Sequence, residues 1–121
     1  MISTVILVHA EFDIARGCKM LRTHVASQHW KPAIAARGTA ILTAMGDLIL
    51  SSRSSDLVAV NLTIHNTGQD PNIQMTCHLY LPHIHTPQVE AIIQRMRRAS
   101  DHLDLYETAG NVEISARLDV K

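Results

Sequence analysis

The 121-residue sequence predicts an α/β protein of the α+β kind. The expected form is a two-layer sandwich, a mostly antiparallel, mixed five-stranded sheet with three helices on one face. Three observations predict it. Several segments alternate apolar and polar residues with a period of two, as strands with one buried face do. Three other stretches repeat their apolar residues every three or four positions, as one side of a helix does. The strand-like segments follow one another across short turns, which implies antiparallel neighbours. A single apolar face per strand then implies that helices cover one side of the sheet only. The order is β-α-α-β-β-α-β-β.

Residues 2–9 read as the first strand. Asp13 is the expected N-cap of the first helix, in which Ile14, Cys18, Leu21 and Val25 form one stripe. That helix ends near His29-Trp30-Lys31-Pro32, because proline forbids simple continuation. The second helix spans residues 33–50, with Ile34, Ile41, Leu42, Met45, Leu48 and Ile49 on a broad apolar face. Gly38 and Gly46 each weaken it by about 1 kcal/mol relative to alanine, so a packing or functional reason is expected for them. After a polar break at residues 51–55, Val58, Val60, Leu62 and Ile64 alternate with polar neighbours. The turn-rich segment 66–72 separates them from Ile73, Met75, Cys77, Leu79 and Leu81, and the two strands make a hairpin. The third helix, residues 88–100, places Val89, Ile92, Ile93 and Met96 inward and Arg95, Arg97 and Arg98 outward. Two last strands, 103–107 and 112–118, flank a turn at Thr108-Ala109-Gly110-Asn111.

Composition narrows the function. At 121 residues the chain is one domain, and 46% apolar residues exclude a disordered chain. Eleven basic and eleven acidic side chains leave no net charge, so neither nucleic acid nor an anionic membrane is an expected partner. Aromatic residues make up only 3%, which excludes stacking on bases and predicts an aliphatic, methionine-rich core. No apolar run reaches the roughly 20 residues of a bilayer span, and the N-terminal segment lacks the basic region and cleavage site of a signal peptide. A cytoplasmic domain is expected. Cys18 and Cys77 permit at most one disulfide, which a domain of this size does not require.

Three segments carry a resemblance. Glu11-Phe12-Asp13-Ile14 enters the first helix, Thr43-Ala44-Met45-Gly46-Asp47-Leu48 lies in the second, and Arg95-Met96-Arg97-Arg98 leads through Gly110 to Val112-Glu113-Ile114-Ser115-Ala116-Arg117. Taken in order, they resemble the Bergerat ATPase fold of the GHKL superfamily. More closely, they are similar to the small serine kinases and anti-sigma factors of bacterial partner-switching modules. The resemblance implies that residues 1–121 form a histidine-kinase-like ATPase domain, whose second helix offers an acid and, one turn later, an Asn to hold the nucleotide's Mg²⁺. It also implies an Asp-x-Gly-x-Gly segment that reads adenine, and a glycine-rich lid.

This chain departs from that pattern at each step. Asp47 keeps the acid, but position 51 is Ser, a weaker Mg²⁺ ligand than an amide carbonyl. The adenine-reading segment becomes Leu79-Tyr80-Leu81-Pro82-His83, without its Asp and without glycine. Only His85, Thr86 and Pro87 separate Ile84 from the third helix, so the chain lacks an ATP lid. The degraded nucleotide positions are therefore Asp47, Ser51, Leu79, Pro82 and His83. The expectation is no cofactor and no phosphoryl transfer. Under the alternative of an active serine kinase, ATP and Mg²⁺ would bind, Asp47 would be the general base that activates the substrate hydroxyl, and Ser51 would help to hold Mg²⁺.

The resemblance then implies a non-catalytic regulatory protein that binds a STAS-type antagonist or a sigma factor, or dimerises. The apolar solvent side of the first strand is a candidate contact. Eight histidines also raise the possibility of a site built from His65, His83 and His85. No zinc-type spacing supports one, and loop or solvent-face histidines are the simpler reading. Cys18 and Cys77 fall on apolar stripes and read as core residues.

Overall fold

The computed structural model describes residues 1–52 and 57–120. Its elements are β1 (Ile2–Val8), α1 (Glu11–Ser27), α2 (Pro32–Ser51), β2 (Val58–His65), β3 (Asn72–Tyr80), α3 (Pro87–Ala99), β4 (His102–Thr108) and β5 (Asn111–Asp119). This is the expected order. The expected polar break at residues 51–55 lies mostly outside the described residues.

The five strands form one sheet in the order β1-β2-β3-β5-β4, and every neighbouring pair is antiparallel. The registers align the buried apolar positions of neighbouring strands on one side. Ile6 pairs with Val60, Val60 with Cys77, Cys77 with Ile114 and Ile114 with Leu105. The helices lie on that side, and the core between the layers is aliphatic and methionine-rich; none of its described residues is polar or charged. The opposite side of the sheet is uncovered, with Asn61, Thr63, Gln74, Thr76 and Ser115 in its middle.

The first helix starts earlier than expected. Ala10, in extended backbone, is the N-cap, and Asp13 stands at the third helical position. Asp13 still satisfies the helix start, because its Oδ2 accepts from the backbone N–H of His9 at 2.9 Å and of Ala10 at 3.0 Å. Those two bonds hold its carboxyl below the ordinary carboxylate range. Between α1 and α2, His29 adopts a left-handed φ of 58° and Pro32 takes the first turn of the next helix, where a missing N–H costs nothing. Thr86 caps α3 with its hydroxyl, which accepts from the Val89 N–H at 3.4 Å, and Pro87 follows it.

Helix α2 lies at the centre of the helical layer. Its length and apolarity would suffice to cross a membrane, but half of that stretch is buried inside this domain. Ile41, Leu42, Met45 and Leu48 face the core. The two-residue turn between β4 and β5 has positive φ at both Ala109 (53°) and Gly110 (84°), the geometry whose twist matches that of paired strands.

Candidate functional site

The degraded nucleotide positions take three different roles. Asp47, near the end of α2, is turned toward α3, where Arg95 Nη1 donates to its Oδ2 at 2.9 Å with both side chains half-exposed. Ser51, one turn later, donates its hydroxyl to the Leu48 carbonyl of its own helix at 2.9 Å. Leu79 is 7% exposed and belongs to the core on the inward face of β3. Pro82 and His83 are exposed in the connection between β3 and α3, while Leu81 and Ile84 beside them are buried. Leu81 N–H donates to the Gly110 carbonyl at 2.7 Å, which ties this connection to the β4–β5 turn. Carboxylate, hydroxyl and base-reading position thus each have a local occupation: an ion pair, a helix carbonyl and the hydrophobic core.

Sequence spacing concealed the partner of Asp47. Arg95 lies 48 residues away, and its exposed position on α3 reads as solvated from sequence alone. Arg37 is similar: it reaches from α2 to the Ala99 carbonyl and to Asp101.

The three-histidine arrangement does not assemble. His65 ends β2 opposite Asn72, at the turn end of the hairpin, whereas His83 and His85 follow the far end of β3. The nine residues of β3 hold these ends about 25–30 Å apart. His85 instead lies 3.9 Å from Glu90 and 3.9 Å from Glu107. Among the described residues no group of three His, Cys, Asp or Glu side chains could hold a metal ion. Cys77 is buried, and burial pushes its thiol up to about 12. Cys18 Sγ lies 3.9 Å from the Thr39 carbonyl and 3.7 Å from the Thr43 hydroxyl, so its polar neighbours are neutral and no histidine activates it.

A wide concavity lies elsewhere, between β1 and α1. It is an open groove of about 890 Å³. Its floor is four consecutive residues, Thr4 to Leu7, and its far wall is α1 from Asp13 to Ser27. A sheet face would contribute only alternate residues, so a run of four marks the open edge of a strand. Val5 and Leu7 are 58% and 53% exposed. A smaller groove of about 490 Å³ lies at the other side of the sheet, beside Tyr80, Tyr106, His78 and Glu113.

No protein-family model matches the chain, and no curated protein matches it. Among solved structures it is similar to a chain in the crystal structure of the SiaB-SiaC complex from Pseudomonas aeruginosa, with a TM-score of 0.62. The match covers 99% of this chain and 90% of that one, at 12% sequence identity. At this identity the likeness is one of fold: nearly the whole chain adopts the architecture found in that two-protein complex.

Proposed function

We propose that the chain is a non-catalytic regulatory protein of a bacterial partner-switching or anti-sigma type module, acting by binding another protein. The observation that carries this reading is the state of the adenine-reading position. A side chain that should hydrogen-bond a base is Leu79, and it is part of the core. Loss of such a polar contact costs an enzyme several orders of magnitude in discrimination. The neighbouring acid supports the same reading, since Asp47 already has a cationic partner in Arg95. The structural neighbour belongs to a complex of two proteins, which accords with function through association. The partner class, a STAS-type antagonist or a sigma factor, follows from the family resemblance, as does homodimerisation.

Thermal unfolding with and without Mg-ATP tests the reading. A ligand present at about 100 times its dissociation constant stabilises the folded state by about 2.7 kcal/mol, a shift of several degrees for a domain of this size. The expected outcome is no shift at millimolar Mg-ATP. A shift that disappears in Asp47→Asn would overturn the proposal in favour of a serine kinase with a divergent pocket, Asp47 and Ser51 then holding Mg²⁺.

A further inference from the structure

We infer that the groove between β1 and α1 is a strand-addition site for an extended, acidic segment of the partner protein. The inference rests on the regulatory reading above and names the surface and partner chemistry through which it acts. Strand β1 ends the sheet, and among the described residues no strand pairs with its outer side. An open edge presents a row of unpaired N–H and C=O groups, a template for an added strand. The two edges of this sheet differ. Strand β4 carries Asp104 and Glu107, charges of the kind that blunt an edge. Strand β1 is Ile-Ser-Thr-Val-Ile-Leu-Val, with no charge, proline or glycine, and it pairs with β2 along its whole length without a bulge. It is the unprotected edge.

The wall opposite selects the sign of the occupant. Arg16 and Lys19 line the groove from α1. Asp13 also lines it and stays ionised, so two cations against one acid leave this wall net positive. Nε2 of His24, on the same wall, is buried without a hydrogen-bond partner. The groove thus offers apolar contact from Val5 and Leu7 on the β1 side and net positive charge on the α1 side. An alternating apolar-acidic strand matches both. A second copy of this chain matches less well. Its β1 carries no acidic side chain to meet Arg16 and Lys19.

The test uses eight-residue fluorescein-labelled peptides of alternating Glu and Val, their Lys-Val counterpart, and a Glu-Val peptide N-methylated at alternate amides. Binding to the full chain is followed by fluorescence polarisation and by backbone amide shifts. The Glu-Val peptide is expected to bind at least tenfold tighter than the Lys-Val one, to lose binding on N-methylation, and to shift amides in residues 3–8. Val5→Lys and Lys19→Glu are each expected to weaken it at least tenfold. Both positions are exposed, and circular dichroism melts check that the variants fold. No binding at millimolar peptide, equal binding of both charges, or shifts confined to other elements would overturn the inference. So would a dimer in sedimentation that Val5→Lys converts to monomer, since the edge would then belong to a second copy. Capture of a partner that Val5→Lys leaves unchanged overturns this surface alone, whereas stabilisation by Mg-ATP overturns the regulatory reading alone.

Discussion

Gly46 sits where α2 crosses α1, and a Cβ built there would lie 2.5 Å from both Cγ1 and Cδ1 of Ile14. Cγ1 is near the root of a β-branched side chain, so it cannot swing clear. Gly46→Ala is therefore expected to destabilise the fold by about 1–3 kcal/mol through overpacking, although alanine favours the helix by about 1 kcal/mol. At Gly38 the only close contact is 2.7 Å to Cδ2 of Leu21, the far end of a flexible chain. Gly38→Ala should cost less than about 1 kcal/mol, because helix propensity offsets a small displacement. Urea unfolding of both variants decides the matter, and equal midpoints would refute the packing account of Gly46. Cys77 supplies a second prediction. Its folded thiol titrates at about 12 against an ordinary 9.0. Between those values the unfolded chain releases a proton that the folded one keeps, so its contribution to stability is full below 9.0 and is lost as pH rises toward 12. Cys77→Ala should flatten the alkaline arm of a stability profile, and iodoacetamide at pH 8 should modify Cys77 only in denaturant. The inward placement of Leu79 and Cys77 was legible from alternation alone. The engagement of Asp47 by Arg95 was not, because no local pattern links two exposed charges on separate helices.

Between elements, one cluster fastens the helical layer to the sheet. Arg37 of α2 donates from Nε to the Ala99 carbonyl at 3.0 Å and from Nη2 to Asp101 Oδ1 at 2.9 Å. Asp101 Oδ2 in turn accepts from the Asp119 N–H of β5 at 2.7 Å, and the Asp101 N–H donates to the Arg117 carbonyl at 2.9 Å. Helices α2 and α3 and strand β5 are thus joined through one guanidinium and one carboxylate. The Arg37 hydrogen bond, followed by the Asp119 amide, holds the Asp101 carboxyl below its ordinary 3.8. Because the folded value is depressed, its contribution to stability is present above 3.8 and is lost as pH falls through the lowered folded value. Asp101→Asn is expected to lower stability at pH 7 by about 1 kcal/mol, the modest figure that a partly exposed pair warrants. It should also reduce the loss of stability on acidification. Acid titrations followed by circular dichroism check both, and a variant with an unchanged acid arm would refute the role. Turn chemistry and periodicity located every element in this part of the chain, but they placed the caps less well. Asp13 looked like an N-cap because it precedes the first apolar stripe, yet Ala10 starts the helix and Asp13 reaches back from inside it.

For the molecule as a whole, alternation in the sequence assigned β2, β3 and β5 their buried faces, and the short turns implied the two hairpins, β2 with β3 and β4 with β5. The position of β5 between β3 and β4 was beyond that kind of reading, since β3 and β5 pair across α3 and β4 and no local signal sets their register. That insertion determines which strands are interior. Strands β2, β3 and β5 have partners on both sides, whereas β1 and β4 have one each. Amide hydrogen exchange should expose the difference. Opening an interior strand breaks two ladders and uncovers the central core around Leu62, Met75 and Ile114, so its exchange requires nearly global unfolding. Residues 60–64, 73–77 and 112–118 are expected to exchange last and together. Amides of β1 and β4 that point away from the sheet should exchange orders of magnitude faster, limited by local access alone. A protein whose β1 amides all exchanged as slowly as those of β3 in dilute solution would have its edge already covered, and sedimentation of the same sample would show by mass whether a second copy covers it.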